Sequence, residues 1–318
     1  MSYEVETSFT KHYDTNVQLL FQQDKSGLRP AVRTEVLKGQ AAFFDYIGEV
    51  SGEWPDDRHG NSPQMSTPHS RRKVTSAFWD WGDFVDDYDQ VRMLIDPKSS
   101  YAKVAAAAAN RAYDEKILAA LGGTAYAGKE GTISINNYDI GECRLIDGDG
   151  TTVTAGSDHS NTTETGLTLA KIATIGKLMD DASVPAKDRY LVCNTNQKWY
   201  LLGSTKATSA DYSGVHALVY AEPGKGGEYL GFNFIWLPSD RFTANATDTD
   251  CYECYAFHKS CVLLGIWGDY TNEITKRADK RFSTYLYSKM FIGATRMQGK
   301  GVIEILLKKD PTIDFSQS

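Results

Sequence analysis

The sequence lacks any apolar run long enough to cross a membrane, since no segment approaches the roughly 18 consecutive residues that a transmembrane helix needs. Its first residues, MSYEVETSFTKHYD, are polar and acidic and do not resemble a secretion signal. Cysteine is scarce, and its five residues are odd in number and scattered, which favours reduced thiols over a disulfide framework. We therefore expect no membrane span and folding in a cytoplasm.

An excess of positive charge is also missing. The net charge is -7 and the sequence pI is about 5.4, whereas a dedicated nucleic-acid-binding protein usually carries a basic stripe. This net charge is still compatible with a protein that encloses nucleic acid without binding it tightly. With 318 residues, 41% hydrophobic and 24% charged, the chain is typical of a soluble globular protein with one large or two ordinary domains.

Familiar catalytic motifs such as GxSxG and HExxH do not occur. Cys251, Cys254, His258 and Cys261 resemble a zinc knuckle in residue type, but the spacing leaves no turn between ligand pairs. Strand alternation would place Cys251 and Cys261 on one face and Cys254 and His258 on the other. We therefore predict that these four residues bind no metal ion. The segments at 147–150 and 224–227 are interpreted as polar turns. No catalytic residue, metal or cofactor is predicted.

Three segments have helical patterns: an amphipathic stretch at 8–24, a long one at 98–121 with five consecutive alanines, and 166–182 with Thr165 as the candidate N-cap. The long segment would span roughly 35 Å. Residues 189–270 instead alternate strand-like runs, KWYLLG among them, with turns, and two more β-like runs close the chain.

Residues 41–54 and 69–81 have strand-like composition and flank an irregular, proline-containing tip, so they predict a long hairpin. A lone two-stranded hairpin is marginal in water, so this one packs either on its own chain or on another subunit. Basic residues lie on its second arm and acidic residues follow. They are either solvated side chains or patches of opposite sign that set the register between subunits. These candidate contacts are His69, Arg71, Arg72, Lys73, Asp83, Asp86, Asp87 and Asp89.

Several segments together resemble a family of tailed-bacteriophage major capsid proteins. They are TPHSRR at 67–72, DDYD at 86–89, RMLIDP at 92–97 with SYA at 100–102, and CYAFHKS at 254–260. The resemblance covers most of the chain and implies an α+β, Hong Kong 97-like capsid fold. That fold has an N-terminal arm, an extended hairpin loop, a peripheral domain with a long spine helix, and an axial domain.

Mapped onto this sequence, the resemblance implies an arm at 1–40, an extended loop at 41–85, a peripheral domain at 86–184 and 271–318, a spine helix at 98–121 and an axial domain at 185–270. Residues 124–165 look longer than a connector and are a candidate insertion. A long charged N-terminal segment of the kind that serves some relatives as a scaffold is missing, which favours a separate scaffolding protein.

The function implied is a major capsid protein without catalytic activity, whose hexamers and pentamers close into an icosahedral shell around double-stranded DNA. Its partners would be copies of itself, a scaffolding protein, a portal and a candidate decoration protein. It would be found in the virion after assembly in the host cytoplasm. An encapsulin-like compartment shell of the same fold and, more remotely, a soluble enzyme are the alternatives.

Overall fold

The computed structural model describes residues 22–23, 25–54, 62, 64–85, 98–136, 144–146, 152–153, 165–203, 228–245 and 249–311. The predicted helix at 8–24 therefore lies almost wholly outside the described residues, as do Asp86, Asp87, Asp89 and the turns at 147–150 and 224–227. Among the residues described, no helix is both long enough and apolar enough to span a membrane.

Three helices and a set of strands form the described chain. The helices are α1 (Lys98–Gly122), α2 (Leu169–Asp181) and α3 (Thr195–Gly203). The strands are β1 (Arg33–Val36), β2 (Ala41–Ile47), β3 (His69–Thr75), β4 (Ala77–Val85), β5 (Ala125–Ala127), β6 (Ile133–Ile135), β7 (Arg144–Ile146), β8 (Thr152–Val153), β9 (Arg189–Asn194), β10 (Glu228–Tyr229), β11 (Phe232–Leu237), β12 (Cys251–His258), β13 (Val262–Lys276), β14 (Thr284–Arg296) and β15 (Val302–Lys308).

The largest sheet has seven strands in the order β10-β11-β9-β12-β15-β7-β8. Strand β11 runs parallel to β9, whereas β12 is antiparallel to both β9 and β15. Its central strands are buried on both faces, and every residue of β15 from Val302 to Leu307 is buried. Burial on both faces explains why these strands are nearly continuous apolar runs.

A second sheet has the order β1-β13-β14-β4, and α1 packs against its two central strands. The buried residues of α1 include Ala105, Ala109, Tyr113, Ile117 and Leu121, which recur every four residues along one side. The small alanines let the first half of the helix approach closely. The prediction of a long helix at 98–121 is confirmed within one residue.

The predicted hairpin exists, but it is shorter than expected. Strands β2 and β3 are antiparallel from Ala41 opposite Thr75 to Ile47 opposite His69, and β5 and β6 extend them into a four-stranded sheet. The run predicted as one strand at 69–81 is in fact β3 and β4, which separate at Ser76 and pair with different sheets. Strand-like composition does not identify the pairing partner, so the sequence could not reveal this division.

Two further predictions need correction. The second helix begins at Leu169, and its N-cap is Thr168, whose hydroxyl accepts a hydrogen bond from the Lys171 amide. Thr165, the expected cap, instead accepts a bond from the Lys171 ammonium through its carbonyl. KWYLLG was predicted as strand-like but lies in α3, where the Gln197 amide bridges the Leu167 amide and the Lys308 carbonyl.

Strand pairing joins segments that the sequence analysis assigned to different domains. The pairs β13–β14 and β12–β15 both join residues before 270 to residues after 271. Within 124–165, β5 and β6 belong to the hairpin sheet and β7 and β8 to the seven-stranded sheet. The main hydrophobic core likewise runs without a break from α1 to β9, β12, β14 and β15. The described chain therefore has one principal core, from which the hairpin sheet extends.

Candidate assembly surfaces

The outer face of the hairpin carries three of the basic residues of β3, namely His69, Arg71 and Lys73. His69 is exposed at the end of β3, and Arg71 and Lys73 are half-buried on the same side. Arg71 forms a bidentate ion pair with Asp45 on β2, with Nη2 3.0 Å from Oδ2, and its guanidinium lies 5.6 Å from the ring centre of Phe43. The hydrogen bond from Arg71 lowers the pKa of Asp45. Two strands are thus fastened by a pair that remains open to solvent.

Arg72 has a different place from its neighbours, and the expectation that it lies exposed on an arm is wrong. Its side chain is 1% exposed, and its Nε donates a hydrogen bond to the Met297 carbonyl at 3.2 Å. Alternation along β3 turns Arg72 and Val74 towards the body, where Val74 packs with Leu263 and Met297. Arg72 therefore fastens the hairpin to its own chain.

The acidic candidates are only partly described. Asp83 lies half-buried on β4, where its carboxylate accepts a hydrogen bond from the Phe84 amide at 2.8 Å. Because β4 belongs to the sheet of β14 and not to the hairpin sheet, Asp83 is placed on a different sheet from His69, Arg71 and Lys73. Asp86, Asp87 and Asp89 remain predictions.

Asp114 on α1 holds the start of the described chain, a contact the sequence analysis missed. This fully buried carboxylate accepts hydrogen bonds from the Gln23 amide, the Ser26 hydroxyl at 2.5 Å, and the backbone amides of Gly27 and Leu28 at 3.2 and 3.0 Å. A buried charge is tolerated only when it is so fully hydrogen-bonded. The four bonds hold Gln23 and the segment from Ser26 to Leu28 against α1. Within a helical alanine-rich run, a lone Asp gives no sequence signal for this role.

Arg296 fastens the other end of α1. Its side chain is fully buried, and its Nη1 donates to the carbonyls of Leu121 and Gly123 at 2.9 and 3.0 Å. The Leu121 carbonyl lies in the last turn of α1 and the Gly123 carbonyl follows it, where a helix leaves its final acceptors without helical partners. The guanidinium therefore caps the spine-like helix from the end of β14.

A polar group also joins α1 to β13. The Tyr113 hydroxyl donates to Asp269 at 2.7 Å, and Arg29 forms an ion pair with the same carboxylate at 3.0 Å. Burial alone would raise the pKa of Asp269, but hydrogen bonds from Tyr113, the Tyr270 amide and Arg29 outweigh it and lower the pKa. Burial and the Asp269 charge raise the pKa of Tyr113.

The four cysteines that the structure describes are buried. Cys251 packs with Leu306, while Cys254 lies in the main core close to Cys193, and burial raises the pKa of Cys193. Cys261 also lies in the main core, so its predicted pairing with Cys251 on one face is wrong, because the strand ends at His258 and a 3-10 turn follows. In the described part of the chain, no three His, Cys, Asp or Glu side chains gather to hold a metal ion. That these residues bind no metal stays a prediction.

A cleft of about 300 Å³ lies between the second half of α1 and the segments around β12. An ion pair from Arg241 to Glu115, 2.9 Å long, lies along its wall, and Tyr255 donates a hydrogen bond to Glu253 at 3.1 Å. The described lining contains no serine, cysteine or histidine that could serve as a nucleophile or base. Its polar lining also contains Thr243, and the described contacts among these groups are one ion pair and one hydrogen bond.

The comparisons with known proteins agree with this geometry. A family model described as phage capsid protein matches residues 5–309. The capsid structure of cyanophage P-SCSP1u has a TM-score of 0.67 at 17% identity and covers 96% of this chain and 95% of its own. A structure of Mycobacterium phage Che8 has a TM-score of 0.65 at 18% identity, covering 96% and 98%. The capsid of cyanophage Pam1 has a TM-score of 0.69 at 13% identity, also covering 96% and 98%. No curated protein matches the sequence. The α+β, Hong Kong 97-like fold expected from the sequence is confirmed.

Proposed function

The chain belongs to the phage capsid protein family and is a major capsid protein of a phage head shell, and we propose how its copies build that shell. Copies associate as hexamers and pentamers, which close into an icosahedron around double-stranded DNA. Contacts around each ring are heterologous, whereas contacts between rings lie on two-fold and three-fold axes. The protein catalyses no reaction in this scheme.

One observation carries the proposal: apolar side chains remain exposed at the far end of the hairpin and on an edge strand of the body. Trp54 is 94% exposed and Ile47 is 66% exposed, while Val36 on the edge strand β1 is 80% exposed. An edge strand and an apolar arm are both surfaces that another chain can cover. In the proposal, a neighbouring copy covers them.

The four regions implied by the sequence keep their roles as proposals. The arm at 1–40 and the extended loop at 41–85 reach neighbours, the peripheral domain at 86–184 and 271–318 forms the shell wall, and the axial domain at 185–270 surrounds the capsomer centre. His69, Arg71 and Lys73 would face a neighbour, together with Asp83, Asp86, Asp87 and Asp89. Arg72 would act within its own chain.

Finer partners follow from the same scheme. A scaffolding protein and a portal would assist assembly in the host cytoplasm, and a decoration protein could bind the finished shell. The net charge of -7 supports weak, sequence-independent contact with DNA, because tight phosphate binding needs a dense array of cations.

Expression of the chain, alone and with a scaffolding protein encoded by the same phage, tests the proposal. Electron microscopy and size-exclusion chromatography should show closed shells or rings of five and six subunits. A stable monomer or dimer under both conditions would contradict the proposal and favour the enzyme alternative. Shells that carry an enzyme cargo in place of DNA would favour the compartment alternative.

A further inference from the structure

The far end of β13 and β14 concentrates positive charge on a negatively charged chain. Residues 276–282, which we call the basic tip, hold Lys276, Arg277, Lys280 and Arg281 against the single carboxylate of Asp279. Four cations and one anion leave +3, whereas the whole chain carries -7. Every residue of the basic tip is exposed.

The basic tip is a defined turn. The Arg277 amide donates to the Ser283 carbonyl at 3.0 Å, and the Ser283 amide donates to the Lys280 carbonyl at 2.9 Å. The Arg277 guanidinium is held by Asp279 at 3.1 Å and lies 5.7 Å from the ring centre of Tyr285. Lys276, Lys280 and Arg281 form no ion pair with the residues described. Their charges are therefore available to a partner.

The backbone of the turn is shaped to present two side chains. Arg281 and Phe282 have φ values of 49° and 60°, in the left-handed region that non-glycine residues adopt at a cost in free energy. Phe282 is 62% exposed. A glycine would relieve the backbone but remove the side chain. Strain of this kind at an exposed turn points to a use for the side chains that it projects.

A complementary surface lies beside the hairpin. Residues 49–54, which we call the acidic segment, are all exposed and include Glu49 and Glu53. Neither carboxylate forms an ion pair with the described part of the chain. Trp54 ends the segment and, at 94% exposure, is the most exposed large hydrophobic side chain described. Because the basic tip and the acidic segment are both exposed, neither covers the other within one subunit.

We propose, on the basis of the shell assembly above, that the basic tip of one copy docks on the acidic segment of a second copy. Lys280 and Arg281 face Glu49 and Glu53, and Phe282 lies beside Trp54. Opposite charges set the register, while the two aromatic rings supply the apolar area that stabilises the contact. Since two different patches meet, the contact is heterologous and can repeat from copy to copy.

DNA is the other polyanion in such a particle, but the observations favour a protein partner. The phosphate backbone of double-stranded DNA is neutralised by cations alone, and it offers no apolar surface against which the exposed Phe282 ring could pack. The acidic segment, in contrast, offers carboxylates and an exposed ring within six residues. The basic tip matches both features.

Charge reversal tests the docking directly. We expect Lys280→Glu with Arg281→Glu to lower the yield of closed shells by about tenfold, and Glu49→Lys with Glu53→Lys to do the same. Each variant should keep the melting temperature of the free subunit, because all four side chains are exposed. The combination of all four substitutions should restore shells to within about threefold of the wild type, since the attraction is re-formed with opposite signs. Lys187→Glu with Lys300→Glu, two exposed lysines elsewhere, is the matched control and should assemble normally.

The outcomes separate this docking from the general function. If the wild-type chain forms no shells under any condition, the proposed function itself fails. If the wild type assembles but the four-substitution variant stays as defective as its parents, the docking is wrong and the function stands. Normal shells from the tip variant that retain less DNA would show that the basic tip contacts nucleic acid, which also overturns the docking.

Discussion

Strands β15 and β2 have equal length and similar apolar content, yet they have opposite surroundings. In β15, VIEILLK, six of seven residues are buried, whereas in β2, AAFFDYI, none is. Among the strands that the structure describes, the first lies between β12 and β7, and the second is an edge strand paired with β3. Position in the sheet, and not hydrophobicity, decides the burial. The body is therefore stabilised by its own chain, while the hairpin leaves apolar side chains exposed.

Strand β13 shows the same contrast along its own length. Its first five residues, Val262–Ile266, are buried in the body, whereas Thr271–Lys276 are all exposed on the way to the basic tip. One continuous strand thus joins the core to the exposed basic tip. Contacts made at the tip are held in a fixed position by the packing of the strand's other end, which is how a rigid scaffold gives an interface its geometry.

The largest expected effect is a difference in the free energy of unfolding between a variant in β15 and a variant in β2. Ile305→Ala removes a fully buried side chain from the centre of β15 and should lower the free energy of unfolding by about 2–5 kcal/mol. Ile47→Ala, at a 66% exposed position on β2, should change it by less than about 0.5 kcal/mol while lowering shell yield. Denaturant unfolding of the free subunits measures both. Equal losses in the two variants would contradict the contrast between body and hairpin.

The next effect concerns the anchor at Asp114. Asp114→Ala leaves the half-buried amide of Gly27 and the buried amide of Leu28 without an acceptor and should cost about 1–3 kcal/mol. Only the segment around Lys25 should be released from α1. Trypsin should therefore cleave after Lys25 faster than in the wild type, while the far-ultraviolet circular dichroism stays the same. Asp181→Ala, an exposed aspartate on α2, serves as the control. Unchanged cleavage at Lys25 would show that Asp114 does not hold this segment.

How far the sequence predicted the structure depends on how local the determinants are. The helix at 98–121 and the β2–β3 hairpin follow from alanine content, glycine stops and a proline-containing turn, all of which act within a few residues. The family resemblance supplied the fold. The split at Ser76, the helix at Thr195–Gly203 and the buried side of Arg72 depend on residues more than a hundred positions away, and composition carries no record of such pairing.

The assembly surface was predictable only in part, for a similar reason. The sequence located basic residues on the hairpin but not which faced outward, because strand alternation needs a register. It gave no sign of the anchors at Asp114 and Arg296, whose partners are mostly backbone groups. The basic tip was not singled out from the sequence, because its exposure and its left-handed residues are properties of the fold.

A smaller effect should appear as a dependence on pH. The hydrogen bonds around Asp269 lower its pKa below the ordinary 3.8, so the stability they supply is present above that value and is lost as pH falls through the folded-state pKa. The carboxylate is 57% exposed, so the contribution is no more than about 1 kcal/mol. Asp269→Asn should thus reduce stability at pH 7, and its difference from the wild type should narrow towards pH 3. A stability difference that stays constant from pH 7 to pH 3 would show that the hydrogen bonds to the Asp269 carboxylate are not its cause.

The smallest effect on the subunit is expected at Arg71, next to a residue where the effect should be large. Arg71→Glu replaces an exposed partner of Asp45 by a like charge, and exposed pairs contribute little, so the melting temperature of the free subunit should hardly change. Arg72→Glu, one position along the same strand, places a carboxylate where a buried guanidinium donates to the Met297 carbonyl, and should destabilise the fold severely.

The yield of closed shells tests the role of Arg71 further, because Arg71 repeats in every copy and a weak penalty at each contact accumulates as the shell closes. Folded Arg71→Glu subunits that form few shells would place Arg71 at a contact between copies. Normal shells would limit its role to fastening β2 to β3, and an equal loss of stability in both variants would refute the division of this strand into an outer and an inner face.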